Sequence, residues 1–104
     1  MPDPLFRAAL HNTDDGVQLE LVGELDVSTA PELARHVDAI IAAQGDVRVD
    51  CSQLTFADSS GLDRLIRLAK ALREQGRVLV LTDVVPGVRR AIEVLQIADL
   101  LRLA

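Results

Sequence analysis

Aromatic residues are almost missing from this sequence of 104 residues: Phe6 and Phe56 are the only two. The core must therefore come from Leu, Val, Ile and Ala, and no aromatic platform is at hand on which nucleic-acid bases would stack. Positive charge is also scarce, since 11 Lys and Arg against 16 Asp and Glu leave a formal net charge of -5, which repels a phosphate backbone. The expected partner is a protein and not a nucleic acid.

Cysteine occurs once, at Cys51, which excludes an intramolecular disulfide. With only His11 and His36 beside it there is no ligand set for a structural zinc ion, and neither a metal nor a cofactor is expected. A reducing, cytoplasmic setting fits this usage best. No charged leader with an apolar stretch opens the sequence, and no apolar run approaches the roughly 18 residues that cross a bilayer. Secretion and membrane association are both disfavoured.

What is present suits an ordinary folded chain, because 49% apolar and 26% charged residues allow a core and a solvated surface. The length supports one domain spanning 1–104, with its core from about residue 5 onward. Leu5 to Leu10 predicts a first strand, and Asn12-Thr13-Asp14-Asp15-Gly16 supplies the turn that reverses it into a hairpin. Val17, Leu19 and Leu21 alternate with polar residues as a strand buried on one face, and Gly23 to Asp26 leads out of it.

Ser28 or Thr29 is a candidate helix cap, followed by Pro31 and Glu32 in the first turn and by Leu33, Val37, Ile40 and Ile41 at helical spacing up to Gly45. Val47, Val49 and Cys51 alternate as a short strand, with Cys51 turned into the core, and Ser52 to Asp58 reads as a loop. A second helix carries Leu62, Leu65, Ile66, Ala69 and Leu72 on one stripe and ends at Gly76. Val78 to Leu81 is a continuous apolar run, which predicts a central strand covered by helices on both faces. Thr82-Asp83 and Pro86 begin another helix, with Val88, Ala91, Ile92 and Leu95 as its buried side, and Leu100 to Leu103 supplies a last strand.

Strands alternating with helices after a hairpin give an α/β class with a mixed sheet and helices packed on it. In such sheets functional loops gather at the carboxyl ends of the strands. Two loops there are rich in small polar groups: Asp26 to Thr29, and Asp58 to Gly61. Taken alone, the second has a plain structural explanation in which Ser60 or Ser59 caps the helix, Asp63 completes a capping box and Gly61 permits a tight turn.

Gly23-Glu24-Leu25-Asp26, Val49-Asp50-Cys51-Ser52 and Thr55-Phe56-Ala57-Asp58-Ser59-Ser60-Gly61-Leu62 together resemble the STAS domain, and within it the bacterial anti-sigma factor antagonists. The likeness runs from about Val17 to the last strand. It implies a STAS-like single domain and a partner-switching role. The unmodified antagonist binds an anti-sigma factor that is also a serine kinase with bound ATP, which frees a sigma factor, and phosphorylation releases the partner. The modified serine of that family maps onto Ser59, with Ser60 as second choice, and Asp26 matches its acidic residue in the adjacent loop. A monomer or weak dimer is expected. Arg64 and Arg67, with Lys70 and Arg73, form a candidate docking face that is otherwise a solvated helix surface. Ser60 with Asp63 suffices for the structural cap, which leaves Ser59 as the modifiable group.

Two departures stand out. Asp63 occupies a position where these proteins often carry a small residue and brings a second carboxylate within a turn of Ser59, and the sequence ends at Ala104 where many relatives continue into a helix, which implies a shorter partner surface or an exposed apolar patch. Three other functions weigh less. A hydrolase with Ser59 as nucleophile lacks the Gly-x-Ser-x-Gly elbow. A receiver phosphorylated on Asp50 lacks an acidic pair at the end of the first strand to hold magnesium. A STAS scaffold without kinase control is the closer rival.

Overall fold

A computed structural model describes residues 6–97 and 100–104; Leu5, placed at the start of the first strand by the sequence, lies outside them. The described elements are β1 (Phe6–Asn12), β2 (Gly16–Leu25), α1 (Ala30–Ala34), α2 (Val37–Ala42), β3 (Asp46–Ala57), α3 (Ser59–Glu74), β4 (Leu79–Thr82), α4 (Pro86–Val94) and β5 (Arg102–Leu103). The strands form one mixed sheet in sequence order, with β1 antiparallel to β2 and the remaining neighbours parallel. The hairpin turn closes where Thr13 N–H donates to Gly16 O at 2.8 Å and Gly16 N–H donates to Thr13 Oγ1 at 3.1 Å.

Register decides which side chains become core. Val17 faces Val47 and Leu19 faces Val49, which in turn face Leu79 and Leu81, so one apolar row crosses the sheet and all six of these residues are buried. The other side of each strand carries Gln18, Glu20, Arg48, Asp50, Val80 and Thr82, none of which is buried. Leu33, Ile40, Leu65, Leu72, Val88 and Ile92 from the helices join the same core cluster as the apolar row. The helices therefore lie on one face and leave the other to solvent. This overturns the expectation of a central β4 covered on both sides: β4 is fourth of five strands, its burial alternates, and Val78 precedes it. Its apolar run is explained by Leu79 and Leu81 facing the helices while Val80 lies half-buried on the open side.

The predicted first helix is two short ones. After Leu33 the chain breaks at Arg35 and His36, with only Leu33 and Ile40 fully buried among the predicted stripe, and Glu32 and Arg35 pair at 3.3 Å on the surface. The predicted loop from Ser52 to Asp58 is instead strand as far as Ala57. β3 stays paired with β2 across two irregularities: Val22 faces Gln53, Gly23 faces Leu54 and Glu24 faces Phe56, so the ladder slips by one residue between Glu20 and Val22 and again between Gly23 and Glu24. Each slip adds a residue to β3 and resets which side chains point inward. Leu54 and Ala57 remain buried, whereas Phe56 is turned out.

Gly76, at φ 72°, ends α3 as expected. α4 begins at Pro86 and buries Val88 and Ile92, but Leu95 follows its last turn and is exposed. Arg77, unremarked in the sequence, is buried and donates from its guanidinium to Gly45 O at 2.6 Å, Ile41 O at 3.2 Å, Ile40 O at 3.0 Å and Gln75 Oε1 at 2.8 Å. It thereby serves carbonyls at and just beyond the end of α2, where Ile40 O also accepts from Ala43 N–H at 3.2 Å.

Candidate functional site

β2 and β3 end side by side, with Leu25 opposite Ala57, and each passes directly into one of the two polar loops. Asp58 N–H donates to Leu25 O at 3.1 Å, which fastens the second loop to the end of the first strand. Gly61 makes the approach possible. A Cβ there would stand 2.6 Å from Leu25 O and 2.6 Å from Leu25 Cγ, closer than real contacts allow. Small size, more than any unusual backbone angle, is what this position demands.

The first loop is a closed hydrogen-bonded turn. Asp26 Oδ1 accepts from Ser28 N–H at 2.9 Å, Ser28 Oγ at 2.7 Å and Thr29 N–H at 3.1 Å. The Ser28 hydroxyl, with help from these amides, holds the Asp26 carboxyl below its ordinary pKa, against a smaller opposing effect of desolvation. Thr29 occupies the N-cap position of α1 without capping it, in contrast to the sequence expectation for Ser28 or Thr29. Its buried hydroxyl instead accepts from Asp26 N–H at 2.9 Å and donates to Glu24 O at 2.8 Å. Both side chains serve the turn behind them. Val27, at its tip, is 72% exposed.

In the second loop the cap is Asp58, not a serine. Its backbone is extended and its Oδ1 accepts from Gly61 N–H at 2.9 Å. Ser59 and Ser60 are consequently the first two residues of α3, and both are exposed. Asp63 is not a box partner: it pairs with Arg67 at 2.7 Å, one turn further along α3. Arg64 and Arg67 also line a cleft of about 120 Å³ whose apolar wall includes Leu33, Val37 and Leu68.

The structure thus brings Asp26, Ser28 and Thr29 to the same end of the sheet as Asp58, Ser59, Ser60 and Gly61, with Asp63, Arg64 and Arg67 following down α3. Two residues of this surface escaped the sequence reading, Val27 and Phe56, the latter 46% exposed. Val47, Val49 and Cys51 face inward, one slip turns Leu54 inward and the second, at Thr55, restores the first parity, so that Ala57 is buried and Phe56 faces out. Cys51, by contrast, is buried as expected, and desolvation, with lesser effects from Asp50 and Asp83, pushes its thiol up to about 12. Among the described residues no group of three or more His, Cys, Asp or Glu side chains could hold a metal ion, and no helix is long and apolar enough to cross a membrane.

Comparison with known proteins gives a consistent picture. The family model described as "Mlab, STAS domain" matches residues 8–102. An anti-sigma-B factor antagonist of Staphylococcus epidermidis is 31% identical over 90 residues, covering 85% of this chain and 82% of that protein. The crystal structure of an anti-sigma factor antagonist from Mycobacterium paratuberculosis superposes with a TM-score of 0.80 at 25% identity, over 99% of this chain and 89% of the other. The Bacillus cell fate determinant SpoIIAA in its phosphorylated form shares the fold, with a TM-score of 0.69 and 22% identity over 95% of this chain and 90% of that one.

Proposed function

The chain belongs to the STAS domain family, and from that premise we propose that it is an anti-sigma factor antagonist switched by phosphorylation at Ser59. In this reading the unmodified protein binds an anti-sigma factor with serine kinase activity, so that a sigma factor is freed. The kinase, with its own ATP, then ends the complex. The Ser59 hydroxyl oxygen forms a bond to the γ-phosphorus, the bond to the departing ADP breaks, and the hydroxyl proton passes to a base of the partner. The chain is a binding protein whose own part in the chemistry is to accept the phosphoryl group.

The observation that carries this reading is the division of labour at the start of α3. Asp58 satisfies the Gly61 amide, so the cap consumes neither serine hydroxyl and both stay exposed. A phosphate on Ser59 would add about 1.5 to 2 negative charges beside free helix amides, which favour an anion by roughly 0.3 to 1 kcal/mol, so the fold tolerates it. A partner does not. One unit of like charge at about 6 Å costs near 2.8 kcal/mol at an effective dielectric of 20, about a hundredfold in affinity. The relatives' names and the existence of a phosphorylated fold neighbour support the same reading.

Val27 in the first loop and Phe56 near the end of β3, both exposed, are the apolar contacts such an interface would bury around the serine. The test is a pulldown with and without ATP, followed by mass spectrometric site mapping. A histidine-kinase-like ATPase should be retained without ATP and released with it, and the phosphate should map to Ser59. Ser59→Ala should keep the partner bound and take up no phosphate, Ser59→Asp should weaken binding about a hundredfold, and Ser60→Ala should behave as the unaltered protein. Phosphate entering Ser59→Ala at the normal rate would refute the site. Retention indifferent to ATP would leave a STAS scaffold without kinase control.

A further inference from the structure

Ser59, Asp63 and Arg67 follow at intervals of four along α3 and so share one stripe of the helix. Asp63 precedes Arg67, the favourable sense for such a pair, and the two meet at 2.7 Å. Ser60 stands three residues before the same Asp63. Its neighbour four residues on is Arg64, which is exposed and, among the described residues, has no carboxylate within ion-pairing distance. One turn beyond Ser59 there is thus only a carboxylate, whereas beyond Ser60 the same carboxylate is joined by an arginine.

We propose that this register makes α3 discriminate between its two serines, with Arg64 as the residue that decides. Phosphate on Ser59 stays unneutralised by its own helix and is displayed to a partner, whereas phosphate on Ser60 is drawn to Arg64 and muted. The proposal rests on reading the loop as a phosphorylation switch. A like charge four residues away on a helix is unfavourable, whereas an opposite one is favourable. The helix N-terminus itself favours both phosphates and does not choose between them. Asp58, capping Gly61, and Asp26, closing the neighbouring turn, add negative charge near either serine and so do not choose either. Arg67 cannot rescue Ser59, because it is already held by Asp63 and eight residues correspond to roughly 12 Å along the axis. Asp63 then has a use: it keeps the release signal from being absorbed by the arginines that follow it.

The test needs no kinase. Phosphoserine is installed by genetic encoding at position 59 or at position 60, and the second ionisation of each phosphate is followed by phosphorus NMR at low ionic strength. Asp63→Asn should lower the pKa of the Ser59 phosphate by about half a unit, the effect of one like charge near 6 Å in a water-like medium. Arg67→Ala, which leaves Asp63 unpaired, should raise it. The Ser60 phosphate, three residues from Asp63, should also fall with Asp63→Asn, and it should rise with Arg64→Ala more than the Ser59 phosphate does. Circular dichroism melts establish that each variant is folded. A Ser60 phosphate that responds to Arg64→Ala no more strongly than the Ser59 phosphate does overturns the proposal. Because the phosphate is placed directly, a failure of kinase recognition would count against the switch alone and leave this result to be judged by itself.

Discussion

Asp26 closes its turn as a carboxylate, accepting from Ser28 and Thr29, and this fixes the sign of its pH dependence. Its folded pKa lies below the unfolded one, so its stabilising contribution is complete above the ordinary carboxylate range and is lost as pH falls through the folded value. Asp26→Asn should melt lower than the unaltered protein at pH 7, and the gap should narrow as the pH is taken down toward 3 in a series of thermal melts. A gap that is constant with pH would mean that the charge is immaterial. That the two polar loops meet was legible, because both follow strands that end on the same side of the sheet. The individual roles of their residues were not. Asp58, Ser59 and Ser60 are all good caps in isolation, and only the extended backbone at Asp58, set by where β3 stops, selects among them. Likewise Thr29 gives up capping because Asp26 N–H and Glu24 O are nearer uses for its hydroxyl.

At the scale of elements, Arg77 joins the chain entering β4 to the end of α2, four of its donor contacts falling on oxygen atoms and none on a carboxylate. Arg77→Ala takes a donor from the Gly45, Ile41 and Ile40 carbonyls, of which Ile40 O keeps Ala43 N–H, and should cost about 1 to 3 kcal/mol, read as a lower denaturation midpoint with little change in slope. Arg77→Lys should recover only part of this, since an ammonium cannot reproduce the fork. A cost below about 0.5 kcal/mol for the alanine variant would show the contacts to be incidental. Nothing in the sequence announces this residue, because its partners are main-chain oxygens 32 to 37 positions away. The helix stripe of α3 was legible, its register being long and regular. The far half of β3 was hidden for the opposite reason: Ser52, Gln53 and Thr55 resemble a loop, and pairing with β2 overrides that local preference.

At the scale of the molecule, burying one face of a five-stranded sheet concentrates stability where β2, β3 and β4 meet. Hydrogen exchange should be slowest at Leu19, Val49 and Leu81, all fully buried, and fastest at Arg102–Leu103 and in the turn at Thr13 to Gly16. Protection at Leu103 equal to that at Val49 would contradict a sheet organised in this way. The α/β class and the hairpin followed by helical crossovers were legible from the alternation of patterns. That the helices share one face was not, because Val78 to Leu81 reads the same whether its outer side meets a helix or half-meets water.

The contact between Gly61 and Leu25 has a consequence for how this protein is able to diverge. A larger residue at 61 collides with the carbonyl oxygen of residue 25 as well as with its side chain, and every amino acid carries that oxygen. No compensating exchange at 25 restores the space. Specificity is therefore free to drift at 27, 56, 63 and 64, whose side chains face outward or pair only locally, while the joint that holds the two loops in step is closed to gradual change.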